Sequence, residues 1–171
     1  DRASPGLAAT LPLPLFAPRR MQAEGREEGF RLVVPWGARD FVVPVDWRAT
    51  RPEPIEQSWC TRLHYMEFLE GLETPLFERV VLDWIAHNPL DGPRALRFAW
   101  QPFALSIRVV VWMQEVARRQ HELSPGFVAR VVASLAGQIR FIERRLETDV
   151  RGNHLIKNIK ALLWASAFFS G

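Results

Sequence analysis

The sequence predicts an all-α fold with one small β-hairpin near its N-terminal end. Three observations carry that expectation. Apolar residues recur at helical spacing over five stretches, about 59–72, 75–87, 104–120, 127–147 and 153–169. The last two are joined by a short link, which favours antiparallel neighbours. Only about 30–45 shows β-rich runs broken by a turn, the mark of paired strands. With 171 residues the chain can bury a real core.

Residues 1–28 read as an extended lead-in, because Pro5, Pro12, Pro14 and Pro18 interrupt any period. Leu11 to Ala17 is apolar, but too short and too proline-rich for a signal peptide. The body of the domain then runs from 29 to 171. Phe30-Arg-Leu-Val-Val and Phe41-Val-Val-Pro-Val flank Pro35-Trp-Gly, giving two strands around a turn. A lone hairpin is marginal in water, so it must pack on the helices. Arg51 to Glu56 reads as a proline-containing loop. Trp59, Leu63, Met66, Leu69 and Leu72 keep one helical face. The second helix buries Leu76, Val80 and Trp84 and stops at Asn88-Pro89, since proline pushes its predecessor out of helical geometry.

A turn-rich link, Leu90 to Arg97, leads to the third helix, and Ser124-Pro-Gly is a cap for the fourth. Phe127, Val131, Leu135, Ile139, Ile142 and Leu146 form the apolar stripe of that fourth helix. The last helix starts at Asn153, whose short side chain suits an N-cap, and Gly171 is its expected stop. It is apolar nearly all round, which predicts burial on most sides. His154 and Asn158 nevertheless lie four apart on one face of its first turns. Buried polar groups need partners, so the pair either ties down a loop or lines a cleft.

Composition excludes several classes. A net charge of +3, with 22 basic against 19 acidic residues, suits an anionic ligand. No basic run with interleaved aromatics marks a nucleic-acid surface. Cys60 is alone, so neither an internal disulfide nor a cysteine metal site is available. No HExxH motif or Cys/His ligand spacing occurs, and no metal or other cofactor is expected in this segment. No apolar run reaches the ~20 residues of a spanning helix.

Five stretches, in the same order, resemble one family. Gly-Asn-His-Leu-Ile-Lys-Asn-Ile-Lys-Ala-Leu-Leu-Trp-Ala, from Gly152, is similar to the "GNHLLxNxKALxxA" signature of heparinase II/III-like polysaccharide lyases. Asp46-Trp47 closes a short β segment, as in the family. Trp59 with Leu63-His64-Tyr65 resembles "W-x-x-x-L-H-Y-x-x-x-L", and Trp84-Ile85 with Asn88-Pro89 resembles "W-I-x-x-N-P". Trp100-Gln-Pro-Phe-Ala-Leu-Ser-Ile-Arg-Val-Val-Val-Trp resembles "W-x-P-Y-P-x-S-x-R-I-x-N-W". There Phe103, Ala104 and Val111 replace a Tyr, a Pro and an Asn. Gln138, Arg140 and Glu147 echo polar positions that precede the Gly-Asn-His turn. The resemblance covers roughly Phe30 to Gly171.

It implies the N-terminal part of an incomplete (α/α) toroid, with later helices and a β-sandwich region supplied by the rest of the chain. It implies β-elimination at a uronic-acid residue of an anionic polysaccharide, heparin-like or alginate-like; a periplasmic or secreted setting is expected, with a cytoplasmic one left open. It places Asn153 and His154 as catalytic donors that neutralise the uronate carboxylate. The acid and base, a tyrosine and a histidine, would come from later segments; Tyr65, the one tyrosine here, does not match that position.

The remaining candidates stay open between packing and substrate binding. Asn158 either contacts substrate or orients His154. His64 and Tyr65 belong to the core or to the site. Arg108 binds a carboxylate or sulfate, or pairs with a buried acid. Trp100 and Trp112 stack on sugar rings or pack between helices. A rival reading is a non-catalytic helical carbohydrate-binding module. A glycoside hydrolase is less favoured, because it needs two opposed carboxylates, and Glu115, Glu122, Glu143 and Glu147 read as charged surface.

Overall fold

The computed structural model describes residues 6–8, 22–48, 54–90, 98–150 and 152–170. Most of the expected lead-in, residues 51–53 of the expected loop, the link from 91 to 97 and Gly171 lie outside them. The described strands are β1 (Gly6–Leu7), β2 (Gln22–Arg26), β3 (Gly29–Val34), β4 (Gly37–Val42) and β5 (Phe169–Ser170). The helices are α1 (Pro54–Tyr65), α2 (Thr74–His87), α3 (Pro102–Arg118), α4 (Pro125–Glu143) and α5 (Asn153–Phe168).

The all-α expectation is therefore corrected: the fold is mixed. β2, β3 and β4 form a three-stranded antiparallel sheet, and β1 pairs antiparallel with β5. The expected hairpin is the β3–β4 part of that sheet. β2 falls within the expected lead-in, since Gln-Ala-Glu-Gly-Arg carries no apolar alternation. Main-chain pairing from Gln22↔Val33 to Arg26↔Gly29 holds it in place. The inward side chains of β3, Phe30 and Leu32, are fully buried. Phe30 stacks on Phe41 at 5.3 Å and on Phe68 at 4.5 Å, which fastens the sheet to the helical body.

Three helices start at proline and a fourth carries one in its first turn. Pro54, Pro102 and Pro125 open α1, α3 and α4, and Pro75 lies in the first turn of α2. Proline there loses an N–H that has no helical partner anyway. The expected 59–72 helix is two elements. α1 ends at Tyr65, Met66 takes a left-handed conformation (φ 55°), and a 3-10 turn covers Glu67–Gly71. A left-handed non-glycine residue costs on the order of 1 kcal/mol. Here it turns Met66, Phe68 and Leu69 fully into the core, which outweighs that cost.

α3 is the central helix, packed against α1, α4 and most extensively α5. Its Leu105, Val109, Trp112, Met113 and Val116 are buried. The last helix departs from the expected burial. Ala161, Ala165 and Phe168 face the core, but Ile156 and Leu163 are 67% and 65% exposed. Among the described residues no helix is long and apolar enough to cross a membrane.

Candidate functional site

His154 is brought to a cleft by the start of α5. That cleft, of about 300 Å³, is lined by Thr61 and Tyr65 of α1, by Phe98, by Gln101, Phe103 and Ala104 at the start of α3, and by His154. The His154 ring lies 4.3 Å from the Phe103 ring, and Phe103 meets Tyr65 edge-on at 6.0 Å. Phe103 is thus a wall with His154 on one side and Tyr65 on the other.

The imidazole is aimed by Glu147. Its Nδ1 lies 3.0 Å from Glu147 Oε1. A carboxylate only accepts, so Nδ1 carries the hydrogen. Nε2 has no hydrogen-bond partner among the described residues. Glu147 is itself fixed by three hydrogen bonds to two residues. Gln101 Nε2 donates to Oε1 at 3.2 Å, Asn158 Nδ2 donates to Oε2 at 3.3 Å, and the Glu147 amide donates to Asn158 Oδ1 at 2.9 Å. Gln101 is also the N-cap of α3, accepting from the Ala104 amide at 2.8 Å.

This corrects the reading of Glu147 as surface charge on the fourth helix. α4 ends at Glu143, and the chain beyond it is irregular, which lets the Glu147 side chain turn inward until 12% of it is exposed. Apolar spacing alone could not find it, because the inward turn depends on partners outside the helix. Glu115 is also no surface residue. It is buried and paired with Arg118 and Arg119.

Asn158 is fully buried. It donates to Ser106 Oγ of α3 at 2.9 Å and holds Glu147, so it positions His154 at one remove and does not line the cleft. Asn153 is exposed and lies outside the cleft. Nor is it the N-cap. Gly152 takes that place at φ 107°, and no side chain caps the helix. A φ in that range suits glycine.

Four other candidates are seated in the core. His64 is buried, with Nε2 3.0 Å from the Trp47 carbonyl and Nδ1 accepting from Trp84 Nε1 at 3.1 Å. Burial, and after it the charge of Arg108, pushes its pKa down to about 3, against the pull of the Trp47 bond, so it is a neutral structural histidine. Arg108 is fully buried and pairs with no acid among the described residues. It donates to Gln138 Oε1 (3.0 Å) and to the carbonyls of His64 (3.1 Å) and Ala99 (2.8 Å). Its guanidinium lies 3.9 Å from the Trp84 ring centroid. Burial lowers its pKa well below the ordinary value, but the guanidinium is so basic that it keeps its charge. Trp112 is buried with its N–H on Met66 Sδ, and Trp100 is buried with its N–H on the Asn88 carbonyl, packing against Trp84 and Phe141. Neither offers a face to a sugar.

Tyr65 does reach the cleft. Burial, the largest effect, raises its phenol above the ordinary value, so it is a neutral donor near pH 7. Among the described residues no group of three or more His, Cys, Asp or Glu side chains gathers to hold a metal. No family model matches the chain, and no match was found among curated proteins or solved structures.

Proposed function

We propose that this chain supplies the carboxylate-recognising side of a polysaccharide lyase site, of the heparinase II/III-like kind that its sequence resembles. The supporting observation is His154 itself. It is 31% exposed at a cleft, carries a carboxylate on Nδ1, and has Nε2 to offer.

The chemistry asks for that arrangement. In β-elimination a base takes the C5 proton of a uronate, the C4–O bond breaks, and the departing oxygen receives a proton. The product carries a C4–C5 double bond. The C5 proton is weakly acidic while the adjacent carboxylate is negative, and charge builds on that group in the transition state. A preorganised donor aimed at it stabilises that charge most when it is greatest. The imidazolium form of His154 is such a donor, and Glu147 supplies the counter-charge. Tyr65, Gln101 and Thr61 add hydroxyl and amide groups along the same wall. The family's acid and base come from later segments.

One observation favours a second reading, a carbohydrate-binding module without turnover. Asn153 is exposed and outside the cleft, so the expected pair of donors does not converge. Ultraviolet absorbance of the unsaturated product separates the two. The full-length protein should generate that signal from heparan-type or alginate-type polymers. Affinity for such polymers with no signal on any of them would favour the module.

A further inference from the structure

We infer that the His154 cleft is one end of a longer groove, whose other end is a second sugar subsite built by Trp36 and Arg62; this rests on the saccharide reading above. A neighbouring cleft of about 440 Å³ is lined by Trp36, Ser58, Thr61, Arg62, Tyr65 and Phe98, among others. It shares Thr61, Tyr65 and Phe98 with the His154 cleft. The two therefore meet along one face of α1. Each lies near the small end of ligand sites, roughly 300–1,000 Å³, so together they suit more than one ring of a linear chain.

The far end carries two features that a neutral packing groove does not need. Trp36 sits in the β3–β4 turn and is 41% exposed, yet it is held in place. It meets Trp59 edge-on at 6.1 Å, and Arg39 and Glu56 tie the hairpin to α1 with bonds of 3.0 and 2.7 Å. An exposed, fixed indole is a flat apolar surface for the C–H face of a pyranose. Beside it, the Arg62 guanidinium lies 5.7 Å from both the Trp36 and the Tyr65 ring centroids. Its acidic neighbour Glu67 stands 3.8 Å away, beyond hydrogen-bond length. The Arg62 side chain is 42% exposed, and its planar fork fits a carboxylate or sulfate. Ring platform and anion fork side by side select an acidic sugar, as the cleft at His154 does. The occupant is thus the adjoining part of the same acidic polysaccharide.

The test uses the full-length protein, with Trp36→Ala, Arg62→Gln and the surface control Arg140→Gln. Affinity is measured by titration calorimetry for heparin-derived and oligomannuronate di-, tetra- and hexasaccharides, and product formation by absorbance. In the wild type, affinity should rise with length. In Trp36→Ala and Arg62→Gln the hexasaccharide Kd should weaken about tenfold or more, the worth of one charge-assisted bond or a stacked ring, with the disaccharide Kd unmoved. Wild-type affinity for the hexasaccharide by both variants, while the wild type binds and cleaves it, overturns this subsite and leaves the lyase reading standing. An equal loss in Arg140→Gln, or equal affinity for a single-stranded oligothymidylate, overturns it as mere charge attraction. A wild type that neither binds nor cleaves any member of the series removes the saccharide reading and this inference with it.

Discussion

Glu147 accepts the Nδ1 hydrogen of His154 at 3.0 Å and is itself gripped by Gln101 and Asn158. The acid stands between the end of α4 and the start of α5, so one carboxylate couples the position of two helices to the aim of one ring. Glu147→Gln preserves shape but removes the charge and turns one acceptor into a donor facing other donors. Turnover on the susceptible polymer should fall about 10²-fold, the scale of a misplaced reacting group, with oligosaccharide affinity changing far less. Absorbance kinetics and calorimetry on the same preparation measure both. Unchanged turnover would show that the ring needs no such partner.

The helices were legible because burial writes itself as period. Leu76, Val80 and Trp84, or Val131, Leu135 and Ile142, repeat the core face turn by turn. The first turns were less legible. Pro102 and Pro125 contribute φ and not burial, so the starts of α3 and α4 fall two residues before the apolar signal. β2 was illegible because its pairing is main-chain. At the site, helical spacing singles out His154, which lines a cleft, but it does not foretell the inward turn of Glu147, the exposure of Asn153 or the burial of Arg108. Which polar group turns inward depends on partners remote in the chain, such as Asn158 reaching Ser106, and no local spacing encodes them.

Asn158 should matter more for stability than its size suggests. It is fully buried and makes three side-chain hydrogen bonds linking α3, α5 and Glu147. Asn158→Ala leaves the Glu147 amide and Ser106 without these partners. Unsatisfied buried groups cost roughly 1–3 kcal/mol each, so a loss of about 2–3 kcal/mol is expected in urea denaturation, with turnover falling as Glu147 loosens. A variant as stable as the wild type would mean that water replaces the amide freely.

His64 makes a pH prediction with a definite sign. Its pKa is about 3 when folded, against an ordinary value of 6.5. Between those values the unfolded chain binds a proton that the folded chain refuses. Its contribution to stability is complete above about pH 6.5 and is lost as pH falls toward 3, at up to about 1.4 kcal/mol per pH unit. His64→Gln keeps a donor and an acceptor but cannot titrate. Its melting temperature should be lower at pH 7 and fall less steeply than the wild type's between pH 6.5 and 4. Parallel slopes would show that His64 does not carry the acid sensitivity.

The last prediction separates binding from chemistry at His154. A donor that meets the uronate carboxylate gains strength as charge moves onto it, so its loss belongs to the transition state. By comparison with removal of an oxyanion-hole donor, His154→Ala should lower kcat ~10²- to 10³-fold while KM moves little. Asn153→Ala is the informative companion. Exposed and making no cap bond, it should shift stability by no more than about 0.5 kcal/mol. If Asn153 serves the reaction only through the resemblance of its neighbours, kcat should stay near the wild-type value. A large fall in kcat for Asn153→Ala, with an unchanged melt, would mean that the turn before α5 rearranges when substrate arrives and swings this amide into the cleft. A folded His154→Ala protein working at the wild-type rate would make His154 a packing residue against Phe103 and remove the mechanism.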